Sequence, residues 1–127
     1  MLLDTWAWVE MFERSPAGAR IRGRLKGAGV YASVLSLAEI AFWCERNGKR
    51  PKAYTGAVKK AAAILDATPQ ACETAGRNLL KMRKLSPGIG MIDAIIYAQA
   101  VTNGIELVTG DAHLKPLPGV AFIGKEK

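Results

Sequence analysis

The chain has 127 residues, half of them hydrophobic, enough for one domain (1–127) with a single core and too few for two. Eighteen Lys and Arg against eleven Asp and Glu give a net charge of +7, which favours a polyanionic partner, nucleic acid first and an anionic membrane surface second. No apolar run is long enough to span a bilayer, and the first residues lack the basic start and cleavage site of a signal peptide, so a cytoplasmic protein is expected.

Residues 1–4 read as a short buried strand running directly into a helix over 5–13. Ser15-Pro16 is a helix start with Pro at the first helical position, predicting a helix to about Lys26. "VYASV", 30–34, is β-branched and aromatic, as a strand requires. A helix follows from Ser36 to Arg46 and stops at Asn47-Gly48. Pro51 opens another, with Tyr54, Val58, Ala61 and Ala62 or Leu65 on one face. "AILDAT", 63–68, suits a helix end or a short strand; the strand is preferred because Thr68-Pro69 then caps a new helix through about Lys84. "SPGIG" is a loop, 91–102 a helix, "IELVT" a strand, "GDAHLKPLPG" a turn-rich segment and "VAFIG" a last strand. Cys44 and Cys72 lie in apolar helical patterns without a nearby Cys or His, which argues for packed thiols and against zinc. Strands separated by helical segments imply a parallel sheet, whose sites lie at the carboxyl ends of its strands.

Four carboxylates fall near that rim: Asp4 at the end of the first strand, Glu39 in "SLAEIAFW", Asp93 in "GMIDAIIYAQA" and Asp111 in "VTGDAHL". Each has a purely structural reading. Asp4 and Asp93 are possible helix caps, Ser36-x-x-Glu39 has the form of a capping box, and Asp111 suits a turn. Together they are harder to explain so, because acids converging on one rim repel one another and call for a cation between them. An all-oxygen set suits Mg²⁺ or Mn²⁺, which can activate water against a phosphodiester. A negative metal pocket within a positive surface fits a nuclease.

"LLDTWAWVE", "SVLSLAEIAFW" and "GMIDAIIYAQAVTNGIELVTGDAHLKPLPGV" together resemble the acidic motifs of the PIN-domain family, in order and over essentially the whole chain. The resemblance implies a three-layer α/β/α fold with a central parallel sheet of four to five strands. It implies a metal-dependent endoribonuclease with Asp4, Glu39, Asp93 and Asp111 as catalytic and metal-binding residues and Mg²⁺ or Mn²⁺ as cofactor. Thr5 and Thr109 match the family's hydroxyl residues, placed to position ligands or a bound water. The nearest subgroup is similar to VapC-type toxins, which implies an RNA substrate, a homodimer and an antitoxin partner. Two positions depart from the pattern: Trp6 stands where relatives have a small polar residue, and His113 where many carry a further acid.

Arg20, Arg22, Arg24 and Lys26 are candidate phosphate contacts, although alternate residues of a helix spread around its circumference. Arg77, Lys81 and Lys84 read as a solvated face. His113 reads as a turn residue rather than a catalytic base, and Trp6, Trp8 and Trp43 as core or interface. The alternative function is a non-catalytic RNA-binding or protein-interaction module on the same fold. A phosphatase of haloacid-dehalogenase type is disfavoured, since the second aspartate it needs two residues after Asp4 is replaced by Trp6.

Overall fold

In the structure, a computed structural model that describes residues 1–124, short apolar strands form the centre and helices cover both faces. The elements are β1 (Leu2–Leu3), α1 (Thr5–Phe12), α2 (Pro16–Leu25), β2 (Tyr31–Ser33), α3 (Val34–Arg46), α4 (Pro51–Ala61), β3 (Ala63–Leu65), α5 (Pro69–Leu85), α6 (Met91–Thr102), β4 (Leu107–Thr109) and β5 (Val120–Phe122). The five strands form one sheet in the order β3-β2-β1-β4-β5, and every neighbouring pair is parallel. This is the expected three-layer α/β/α arrangement.

Strand alternation explains the layers. Leu2 and Leu107 face a core built with Ala75, Leu79 and Met82 of α5 and Ala94 and Ile96 of α6. Their neighbours Leu3 and Val108 face the other way, onto Ala7 and Trp8 of α1, Ile21 of α2, Ile40 of α3 and Val58 of α4. Trp43 belongs to this second layer, where Phe12 stacks on it and Tyr54 meets both rings edge-on. From β1 the chain steps outward to β2 and β3; α5 and α6 then carry it back to β4 beside β1. The strand order therefore reverses between β1 and β4, the place where an open parallel sheet leaves a crevice beyond its carboxyl ends.

Local chemistry fixes most helix starts. Ser15 accepts from the Gly18 N–H and Thr68 from the Ala71 N–H, each with Pro following. One boundary differs from expectation. The strand expected over 30–34 ends at Ser33, and the helix expected from Ser36 starts at Val34, because the Ser33 side chain accepts from the Leu35 N–H at 3.1 Å. Ser36 is thereby freed from any capping duty.

Helices α1 and α2 meet at Gly18, where a Cβ would lie 2.4 Å from the Glu10 carbonyl oxygen. Gly18→Ala is expected to lower stability by about 2–3 kcal/mol by forcing the helices apart, seen as a lower urea midpoint. Gly23→Ala, on the same helix with nothing within 4 Å of its Cβ, should leave the midpoint unchanged or raise it.

Candidate active site

Asp4 leaves β1 at the reversal point and does two things at once. Its Oδ1 caps α1 by accepting from the Ala7 N–H at 2.9 Å, so the structural reading holds. Its Oδ2 accepts a hydrogen bond from the Thr109 hydroxyl at the end of β4. Asp4 is only 4% exposed. Burial pushes its pKa from 3.8 to about 7, the Thr109 and Ala7 bonds pull it down, and Asp93 and Asp111 push it up by repulsion. A capping carboxylate on a surface helix would titrate in its ordinary range; this one is held at a cost.

Thr109 is the hub of the β1–β4 crevice. While donating to Asp4 it accepts from the Asp111 N–H at 2.9 Å, so one buried hydroxyl sets two of the acids. Asp111 Oδ1 accepts the His113 N–H at 2.9 Å, the local turn that its sequence context predicts. Between them, Gly110 lies under the Trp6 indole, where a Cβ would come within 2.1 Å of the ring. Trp6 is thus a wall of the site, half-buried against the helical layer of α1–α4. Thr109→Val is expected to cut activity by about 10–100-fold and to raise the Asp4 pKa further, shifting the acidic limb of the pH–rate profile to higher pH.

Glu39 enters from α3. The Thr5 hydroxyl donates to Glu39 Oε1 at 2.5 Å and lies 2.9 Å from the hydroxyl of buried Ser36. The capping-box reading of Ser36 and Glu39 is therefore replaced, since Ser33 caps α3 and both residues turn toward Thr5 instead. Sequence reasoning missed the contact of Ser36 with Thr5, because the same Ser-x-x-Glu spacing pointed to a cap.

Asp93 occupies the first turn of α6. Burial raises its pKa and repulsion from Asp111 adds to this; the Gly90 N–H draws it down, Glu39 pushes it up, and His113 draws it down slightly. Asp4, Asp93 and Asp111 thus influence one another directly, with Glu39 joining through Asp93. Among the described residues, no three His, Cys, Asp or Glu side chains stand close enough to hold an ion by themselves. One buried and three half-buried carboxylates with this spread fit a hydrated hard cation, as Mg²⁺ prefers, held by a few oxygens and its own waters.

The basic candidates sit differently. Arg20 donates to the Gly124 carbonyl at 3.0 Å, Arg22 to the Met11 carbonyl at 3.2 Å, and Arg24 pairs with Glu106 at 2.7 Å. Glu106 precedes β4, which places Arg24 at the edge of the sheet opposite the acids. Lys26 is exposed, as are Arg77, Lys81 and Lys84 on α5.

A family model for the PIN domain matches residues 1–119, and the chain belongs to the PIN-domain family. Its fold is similar to that of a toxin-antitoxin complex from Klebsiella pneumoniae, with a TM-score of 0.75 at 18% identity over 98% of each chain. VapBC2 from Rickettsia felis, bound to a DNA fragment from their promoter, gives 0.75 at 17% identity over 99% of this chain and 100% of the other. VapC20 of Mycobacterium tuberculosis, a Sarcin-Ricin loop cleaving toxin, gives 0.68 at 21% identity over 83% and 84%. No curated protein sequence matches the chain.

Proposed function

We propose that the protein is a metal-dependent endoribonuclease that hydrolyses RNA phosphodiester bonds, acting as the toxin of a toxin–antitoxin pair. The observation that carries this reading is Asp4: a buried carboxyl raised to about 7, at the β1–β4 crevice, repelled by two further acids. Such an arrangement is costly in a chain that only needs a cap.

Asp4, Asp93 and Asp111 would hold Mg²⁺ or Mn²⁺, with Glu39 beside Asp93 as the fourth acid. Bound there, the ion supplies a water of lowered pKa and charge stabilisation at the phosphate. The chain's own residues orient the acids. Thr109 fixes Asp4 against Asp111, and Thr5 fixes one oxygen of Glu39. Trp6 forms one wall over Gly110.

The net charge of +7 supports a nucleic-acid substrate, and neighbours of the same fold include a toxin-antitoxin complex and a Sarcin-Ricin loop cleaving toxin. Phe42, Leu80, Leu85 and Val101 are large apolar side chains left exposed, which supports protein partners, both a second copy and an antitoxin. No helix among the described residues is long and apolar enough to cross a membrane.

Incubation of a labelled structured RNA and a DNA of the same sequence with Mg²⁺, Mn²⁺ or EDTA tests the reading. Cuts in the RNA that require the metal are expected. RNA binding without cleavage in any metal would favour the binding module, which draws on the capping bonds of Asp4 and the turn bond of Asp111.

A further inference from the structure

His113 does more than shape its turn. A Cβ at Gly88 would fall 2.3 Å from His113 Nε2 and 2.4 Å from Cδ2, so the imidazole lies directly against the Gly88 backbone, and a side chain there would displace the ring. Gly88 belongs to the loop between α5 and α6, two residues before Gly90, whose N–H serves Asp93. The other end of the ring faces the acids: Nδ1 lies 3.1 Å from Asp111 Oδ1, the oxygen that also accepts the His113 backbone N–H at 2.9 Å. Both contacts from His113 fall on Oδ1, and among the described residues no hydrogen bond is made to Oδ2.

We propose that His113 is a positioning residue for Asp111: seated on Gly88, its ring and its backbone N–H both meet Oδ1, which would leave Oδ2 to ligate an ion. The inference rests on the metal-site reading above. The physical reason is that a ligating carboxylate held through its second oxygen loses less freedom when the ion arrives. The glycine matters as much as the histidine, because a side chain at position 88 would push the ring away from Asp111.

The test is a Mn²⁺ titration followed by electron paramagnetic resonance at pH 8, which needs no RNA and no turnover. His113→Ala should weaken Mn²⁺ binding by about 10-fold or more. His113→Asn, whose amide nitrogen falls near the place of Nδ1, should stay close to the native affinity. His113→Gln, whose amide reaches the place of Nε2 instead, should behave like the alanine variant. Gly88→Ala should weaken binding in the native background and add nothing to His113→Ala, since both break the same contact. Circular dichroism checks that each variant folds, and the His113 series decides alone if Gly88→Ala does not. Native binding with His113→Ala unchanged, or rescue by Gln as complete as by Asn, overturns this inference and leaves the metal site standing. Absence of Mn²⁺ binding by the native chain overturns both.

Discussion

Asp4→Asn is expected to raise the stability of the metal-free protein at pH 8 while removing RNA cleavage. The two effects have one cause. Folding moves the Asp4 carboxyl from 3.8 to about 7, chiefly through burial, so the folded state binds the proton more tightly than the unfolded chain. The stabilisation this represents is full below the unfolded pKa and is lost as pH rises through the folded one. At pH 8 the ionised side chain sits buried with Asp93 and Asp111 for company, and a neutral amide relieves that. The relief should be about 2–4 kcal/mol in the absence of metal, and smaller at pH 5, where Asp4 is already protonated. Asn can still accept from the Ala7 N–H, so the helix cap survives. Cleavage should fall by more than about 100-fold, the upper range for residues that merely support a ligand. Thermal melts at pH 5 and pH 8, beside an RNA cleavage assay, check both halves.

The affinity for Mn²⁺ should depend on pH, with a midpoint near the Asp4 pKa of about 7. Binding requires the ionised carboxylate, so the ion must displace a proton below that pH and none above it. Apparent affinity is therefore expected to rise roughly tenfold between pH 6 and pH 8 and to level off beyond. Asp93, whose carboxyl is also raised by burial and by Asp111, should steepen the dependence. Calorimetric titration in two buffers of different ionisation enthalpy reads the proton release directly. An affinity flat across this range would mean that Asp4 does not ligand the ion.

Much of the fold was legible because its signals are local. Ser15-Pro16 and Thr68-Pro69 announce helix starts within four residues, and Leu2-Leu3 or Leu107-Val108 can be buried on both sides only in a sheet covered on both faces. The places of three acids were legible as well, since Asp4 and Asp111 follow strands and Asp93 lies in the first turn of α6; Glu39, expected in a first turn, lies in the second because α3 starts at Val34. What stayed hidden depends on sheet order. Thr5 meets Glu39 from 34 residues away and Thr109 meets Asp4 across 105, contacts that exist only because β1 lies between β2 and β4. Ser33 and Ser36 are equally good caps by composition, and only the observed start at Val34 separates them. The arginines of α2 read as free phosphate contacts because their partners, the Gly124 and Met11 carbonyls and Glu106, are remote in sequence or belong to the backbone. The seating of His113 on Gly88 was equally out of reach, since nothing in "SPGIG" says which side chain crosses it.

The central claim is that Asp4, Asp93 and Asp111 act together on RNA through a metal ion. Its most direct test is the rate at which a 5′-labelled structured RNA is cut in Mn²⁺ by the native protein, Asp4→Asn and Asp93→Asn, each shown to be folded. Metal-dependent cleavage by the native chain that disappears in both variants is the expected result. Cleavage that persists in both variants would contradict the account.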